Sequence, residues 1–283
     1  MRGTYSVLMP LAPWEPTWVV AASLASIRQQ SLPAVAVVIS CDGAPPDALA
    51  EVIRRCDLPV ELIEGPGQEG AGPVLARGLK ACPTELVVRA DADDLNLPGR
   101  CEKLVTYMLD HPNLAALGSV ITEFTQNDAQ APLMIKKERL VPLGPGQVGS
   151  YSRWRNPLNH PSVILQRSKI EAVGSYRSRS GFEDYDLWLR LLASGQTIDN
   201  LADRLVLARV GPAHQARRRG LSYLLLELRF LAQCWREGLL ESWVVLIWLV
   251  LRCPLRLLPS QAYGTFTNHC LRQQGLTEEK NEG

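Results

Sequence analysis

The first 120 residues alternate short apolar, β-rich runs with amphipathic segments, and that alternation restricts the chain to strands joined by helical crossovers in a mostly parallel sheet. Strands are expected at residues 6–9, 35–40, 60–63, 86–90 and 115–120. Between them, residues 17–30 set Val20, Leu24 and Ile27 at helical spacing behind Pro16, which suits a first helical turn. Residues 48–55, 73–81 and 98–110 supply further crossovers, short enough for right-handed connections. From 122 to 154 the pattern breaks into Pro, Gly and basic clusters and reads as irregular. Regularity returns with a buried strand at 162–165 and a helix at 182–193, whose Leu187, Trp188 and Leu191 share an apolar face.

Composition narrows the function classes. Lys and Arg total 30 against 29 Asp and Glu, a net charge of +1, so no global attraction to nucleic acid follows. A hydrophobic fraction of 46% with 21% charged residues is that of a globular chain, not a disordered one. The seven cysteines are scattered without a C-x-x-C pair, which indicates neither a disulfide framework nor a structural zinc site and fits a reducing compartment. The apolar start is broken by Pro10 and Pro13, so no signal peptide is read and a cytoplasmic location is expected.

Three acidic motifs carry the candidate chemistry. Asp91-Ala92-Asp93-Asp94 follows the apolar run Leu86-Val87-Val88, where a parallel strand ends and open α/β sheets bind ligands. Carboxylates two residues apart at such an exit can converge on a divalent cation that bridges phosphate oxygens; a solvated helix-capping turn is the alternative. Asp42-Gly43 closes the second strand at the same edge, either as a plain turn or as a carboxylate facing a ribose or base. Neither G-x-G-x-x-G nor a P-loop sequence occurs, which leaves phosphate binding to a metal. Glu183-Asp184-Tyr185-Asp186 opens a helix, and three carboxylates in four residues exceed what capping requires. A helix N-terminus also favours an ionised general base of fixed geometry.

These stretches, with S-L-A-S-I-R-Q-Q-S-L-P (Ser23 to Pro33), C-D-G (Cys41 to Gly43), R-A-D-A-D-D-L-N-L-P-G-R (Arg89 to Arg100), H-P-N-L-A-A-L-G-S (His111 to Ser119), N-H-P-S-V (Asn159 to Val163) and F-E-D-Y-D-L-W-L-R-L (Phe182 to Leu191), resemble family 2 glycosyltransferases of the GT-A fold, in the bacterial polysaccharide and O-antigen branch. The resemblance covers roughly residues 5 to 210. It implies an α/β, doubly wound, mostly parallel sheet over residues 1–210, with a helical appendage at 211–283. It also implies an inverting enzyme using Mn²⁺ or Mg²⁺, a nucleotide-sugar donor and a glycan acceptor. By the same resemblance Asp42 contacts the donor nucleoside, Asp91 the donor ribose or sugar, and Asp93 the metal. Asp184 is then the catalytic base and Glu183 its neighbour at the acceptor or donor sugar. The chain departs from the pattern in the loop Leu11-Ala12-Pro13-Trp14-Glu15, where an aromatic followed by a polar residue is usual, and at Ala76, where Asn is usual. His214 stands as a candidate third metal ligand or an exposed loop histidine, and His160 as an acceptor-side or strand-capping residue. Arg100 and Arg190 are expected to pair with local carboxylates. A sugar-phosphate nucleotidyltransferase and a non-catalytic, membrane-bound scaffold are the alternatives.

Residues 201–259 differ in kind, with nine arginines against four carboxylates around two apolar runs. The run Trp243 to Leu251 spans about 14 Å as helix, against about 30 Å of hydrocarbon. It cannot cross a bilayer alone. Trp235, Trp243 and Trp248 with Arg229, Arg236, Arg252 and Arg256 suit helices lying on the inner face of the plasma membrane, beside a polyprenyl-linked acceptor. Packing against protein is the alternative for that run, and the Arg217-Arg218-Arg219 cluster is either a solvated loop or a contact for lipid headgroups or a diphosphate.

Overall fold

The computed structural model describes residues 3–211 and 220–257. Contacts divide the chain after Gly211 into two compact units. In the first, β1 (Tyr5–Leu11), β2 (Ala36–Cys41), β3 (Val60–Glu64) and β4 (Leu86–Arg89) pair in parallel in the order β3-β2-β1-β4. The crossovers are α1 (Thr17–Arg28), α2 (Asp47–Arg55) and α3 (Ala71–Ala81). The chain moves outward from β1 to β3 and then returns to the other side of β1, so the order reverses between β1 and β4. A crevice opens at such a reversal, beyond the carboxyl ends of the strands.

The sheet continues as β8-β6-β9-β5, with β7 on β6. After β5 (Leu95–Asn96) and α4 (Arg100–Asp110), the long β6 (Leu114–Thr125) pairs in parallel with β9 (Thr197–Arg209). The short β8 (Ile164–Gln166) lies antiparallel between β4 and β6. Helices α5 (Pro145–Ser152), α6 (Arg167–Ala172) and α7 (Glu183–Ala193) complete the unit. Most paired residues lie in parallel ladders, and the fold is the GT-A α/β arrangement expected.

Strand β1 is buried on both faces. Val7, Met9 and Leu11 join Val20, Leu24, Leu49, Leu104 and Met108 of α1, α2 and α4 in one core. Leu8 joins Leu75, Leu79, Ile170, Leu187, Trp188 and Leu191 of α3, α6 and α7 in the other. Each fully buried aliphatic side chain of this kind contributes about 1.5–3 kcal/mol. Helix α3 approaches the sheet so closely that a Cβ on Gly78 would stand 2.4 Å from Leu8 Cδ1 and 2.9 Å from Ser40 Cβ. Ser40 Oγ, in turn, donates to the Val74 carbonyl at 2.8 Å.

Three departures from the sequence reading have physical causes. The stretch 122–154 is not irregular throughout, since it contains the end of β6, β7 (Met134–Arg139) and α5. All six residues of β7 are exposed, so it is held by main-chain pairing with β6 and carries no hydrophobic alternation to read. Strand β9 is masked in the sequence by polar residues whose buried groups find main-chain partners, Asn200 Oδ1 excepted. Asp199 accepts from Gly144 N–H and its own neighbour Asn200 N–H, and the Asn200 side chain donates to the Pro142 and Pro157 carbonyls.

In the second unit, α8 (Gly220–Arg236) and α9 (Ser242–Leu257) form a helical hairpin whose turn uses Gly238 at φ +71°, with Leu239 N–H donating to the Cys234 carbonyl at 2.8 Å. Trp235, Trp243, Leu246, Val250 and Leu251 are exposed, whereas Trp248 is buried and so leaves the aromatic surface expected from the sequence. No described helix is long and apolar enough to cross a membrane. His214 and Arg217–Arg219 lie outside the described residues.

A Gly78→Ala variant is expected to lose about 1–3 kcal/mol by overpacking, since backbone-anchored atoms must move to admit the methyl group. A lowered urea midpoint at unchanged m-value is the expected observation, and an unchanged midpoint would refute the close-approach argument.

Candidate active site

The parallel register carries Asp42, at the end of β2, and Asp91, at the end of β4, to the same edge of the sheet, beside the reversal between β1 and β4. Asp91, Asp93 and Asp94 each offer a carboxylate oxygen within 4.8 Å of the others. Burial, then the Asp91 and Glu15 carboxylates, push the Asp93 carboxyl up to about 7. Burial, then Asp91 and Asp93, raise Asp94 well above the usual carboxylate range. Such mutual repulsion is what a hard divalent cation relieves, so the oxygen-only donor set fits Mn²⁺ or Mg²⁺. The three carboxylates are not equivalent. Asp91 is gripped at both oxygens by the buried Arg89, with Nη1 at 2.5 Å from Oδ2 and Nη2 on Oδ1. Asp94 accepts the Arg209 main-chain N–H at 2.7 Å. Among the described residues, Asp93 is held by neither a guanidinium pair nor another residue's main-chain N–H.

The turn is braced by the polar residues of the segment Ser23 to Pro33. Ser23 Oγ donates to the Asp91 carbonyl at 2.8 Å, and Ser26 Oγ accepts Asn96 N–H at 3.0 Å. Gln30 donates to the Leu97 carbonyl and accepts Cys101 N–H, each at 3.0 Å. Arg100 is fully buried and donates to the Arg89 and Pro161 carbonyls at 2.7 and 2.9 Å. It therefore pairs with carbonyls and Asn96, not with the carboxylate expected from the sequence. These bonds fasten both ends of the acidic segment to α1 and α4.

Asp42 accepts Glu69 N–H at 2.9 Å and Gly70 N–H at 3.3 Å, so the loop before α3 is wrapped onto its carboxylate. Arg77 ties that loop to β2 through Glu69 Oε2 at 2.6 Å and the Cys41 carbonyl at 2.8 Å. Gly43, at φ +96°, adopts a conformation that favours glycine. Trp14, in the loop after β1, is 72% exposed.

The second acidic motif sits at the start of α7, and its carboxylates have separate duties. Asp186 is buried among three guanidinium groups, with Arg190 Nε at 2.8 Å, Arg179 Nε at 3.2 Å and Arg177 Nε at 3.4 Å. Glu183 accepts Gly181 N–H at 3.0 Å, and burial raises its carboxyl above the usual range. Asp184 accepts Asn156 Nδ2 at 2.5 Å and Tyr185 N–H at 2.8 Å.

A packed polar wall stands between the two motifs. His160 Nε2 lies 2.9 Å from the Tyr176 hydroxyl, and the imidazole meets the Trp188 ring edge-on with centroids 6.1 Å apart. Burial, then the Arg89 charge, lowers the His160 pKa, so the ring is neutral. Tyr176 senses both Asp91 and Asp184, and Arg89 senses Glu183 as well as Asp91, which puts all of them in one electrostatic neighbourhood. His160 thus acts as a partner of Tyr176 inside this wall. Arg89, Asn156, Tyr176 and Arg209 were given no role from the sequence. Only Arg89 carried a signal, as a charge inside an apolar strand, where it must be paired to be stable.

The architecture is that of sugar-transferring enzymes. Staphylococcus aureus TarS residues 1–349, in a structure with UDP-GlcNAc, superposes with a TM-score of 0.59 over 81% of this chain and 66% of that one at 16% identity, a likeness of fold. The profile of glycosyl transferase family 2 matches residues 19–166. The amylovoran biosynthesis glycosyltransferase AmsE of Erwinia amylovora is 34% identical over 80% of this chain and 83% of its own length. An Escherichia coli UDP-Gal:α-D-GlcNAc-diphosphoundecaprenol β-1,3-galactosyltransferase is 31% identical over 95% and 97%. The chain belongs to glycosyl transferase family 2. Family membership favours glycosyl transfer over the nucleotidyltransferase and scaffold readings.

The partners of Asp186 and Asp184 predict unequal losses of stability. Asp186→Ala leaves the buried Arg190 without its counter-charge and is expected to cost about 3–5 kcal/mol. Asp184→Asn keeps a hydrogen-bonding side chain at a partly exposed helix start and is expected to cost less than about 1 kcal/mol. Denaturant midpoints compare them directly; equal losses would contradict the division of duties.

Proposed function

We propose that this chain moves a sugar from a nucleoside-diphosphate sugar, with inversion, to a hydroxyl of a polyprenyl-linked glycan. The observation that carries the reading is the convergence of Asp91, Asp93 and Asp94 at the sheet reversal, with Asp184 in the same electrostatic neighbourhood. In this reading Asp93, supported by Asp94, holds Mn²⁺ or Mg²⁺. The chemistry such an ion supplies when bound is neutralisation of the charge that builds on the leaving diphosphate. Asp91, immobilised by Arg89, faces the donor ribose or sugar, and Asp42 the nucleoside. The exposed Trp14 offers a stacking surface for the base in place of the aromatic residue usual in that loop.

Asp184 accepts the proton of the acceptor hydroxyl while the acceptor oxygen bonds to the anomeric carbon and the bond to the nucleoside diphosphate breaks. Asn156 donates to Oδ2 of Asp184 and the Tyr185 main-chain N–H to Oδ1, so both oxygens are oriented and each keeps a second lone pair for the proton. Glu183 orients the sugar beside it. The relative from Escherichia coli, named for a UDP-galactose donor and a diphosphoundecaprenol-linked acceptor, supports a lipid-linked substrate for this chain too. That substrate class calls for attachment to the inner face of the plasma membrane. The exposed Trp235, Trp243, Leu246, Val250 and Leu251 with Arg229 and Arg236 form a surface suited to lipid headgroups.

An Asp184→Asn enzyme is expected to keep nucleotide affinity within about threefold and lose turnover by about 10²–10⁴, because only proton acceptance is removed. Single-turnover assays with nucleotide binding measured alongside give both numbers; near-normal turnover would move the base elsewhere. For the membrane surface, full-length protein is expected to co-sediment with anionic liposomes better than a form truncated after Gly220. Equal sedimentation would assign the exposed apolar residues to a protein interface.

A further inference from the structure

Arg209 closes β9 directly behind the acidic turn. Its main-chain N–H donates to Asp94 Oδ1 at 2.7 Å, and its Nε donates to the Asp93 carbonyl at 3.0 Å. The two terminal nitrogens donate to Gln126 Oε1 at 3.3 and 3.2 Å. The guanidinium carbon lies 4.6 Å from the Phe124 ring centroid and 4.8 Å from that of Trp18. One side chain therefore joins α1, the end of β6 and the end of β9 to the turn that bears the carboxylates.

Gln126 is itself oriented. Its Nε2 donates to the Ala131 carbonyl at 2.9 Å, in the turn between β6 and β7, so Oε1 faces Arg209. Asp128 closes the same turn by accepting the N–H groups of Gln130 and Ala131 at 2.9 and 2.8 Å. Bonds thus run without a gap from the β6–β7 turn through Gln126 and Arg209 to the main chain of Asp93.

We propose that Arg209 is a positioning residue for the acidic turn and that Gln126 acts through it. The direction of the Asp93 carboxylate follows from its main chain, and Arg209 holds that main chain at the carbonyl while holding Asp94 at the carboxylate. A planar fork stacked on two aromatic rings holds the Asp93 carbonyl and Gln126 Oε1 together, which a lysine ammonium, a flexible point charge, does not; the bond to Asp94 comes from the Arg209 main chain and survives that substitution. The inference rests on the reading of Asp93 as the carboxylate that holds the metal, and extends it to the side chains that aim it.

The test uses the full-length chain with Arg209→Lys, Gln126→Ala and Asp93→Asn variants. Two measurements are made: Mn²⁺ binding in the presence of UDP, followed by loss of the free-ion EPR signal, and hydrogen exchange at the amides of residues 92–96. Thermal midpoints separate local loosening from unfolding. Arg209→Lys is expected to weaken Mn²⁺ binding about tenfold, as partners behind metal ligands commonly do, and to speed exchange in the turn at an unchanged thermal midpoint. Gln126→Ala shifts both in the same direction by a smaller factor. Exchange in Arg209→Lys equal to wild type, or faster only in proportion to a fallen midpoint, overturns the positioning role. A normal Gln126→Ala variant beside a defective Arg209→Lys overturns the relay. If Asp93→Asn binds Mn²⁺ as wild type does, or wild type binds none, the metal reading fails instead, and the exchange data still decide Arg209.

Discussion

Everything at this site depends on holding like charges together at the end of β4. Two unit charges about 5 Å apart repel by roughly 3 kcal/mol at an effective dielectric constant near 20, and three carboxylates share this turn. The protein offsets the repulsion asymmetrically. Arg89 neutralises Asp91 and a main-chain N–H serves Asp94, yet burial and mutual repulsion still push the Asp93 carboxyl up to about 7 and raise Asp94 well above the usual range. A site prepared in this way has an appetite for positive charge built into its electrostatics.

The same economy governs the start of α7. Three carboxylates in one turn look redundant, yet Asp186 is committed to three arginines and Glu183 to the main chain of Gly181. Among the described residues, Asp184 has no guanidinium partner and accepts only from the Asn156 side chain and the Tyr185 main chain. Buried Arg190 also reaches the Val173 and Ser175 carbonyls, and so fastens the loop that carries Tyr176 to α7. Helix α7 and the polar wall around Tyr176 are in this way parts of one bonded structure.

Much of the shared sequence pattern is bracing. Ser23, Ser26, Gln30 and Arg100 each satisfy main-chain groups of the acidic segment or of its immediate neighbours. Ser162 and Asn159 do the same for β6, through the main chain of Ser119. An acidic turn made of short polar residues has little hydrophobic burial of its own, and these side chains supply the order that burial supplies elsewhere.

The sequence by itself determined the parallel half of the sheet, because apolar runs spaced by amphipathic helices admit few other folds, and it determined the edge on which Asp42, Asp91 and Asp93 emerge, because parallel strands all end on one side. It marked Glu183 and Asp184 through their density of charge at a helix start. It did not disclose β7, whose residues are all exposed, or β9, whose polar residues find most of their partners on distant segments. Tertiary structure alone decided that Asp186 belongs to the arginines, that Arg100 serves carbonyls, that Trp248 turns inward, and that Arg209 meets the acidic turn across more than 110 residues of chain. Local pattern encodes where a chain is apolar and where it turns. Which polar groups become partners is fixed only when folding brings remote segments within hydrogen-bonding distance.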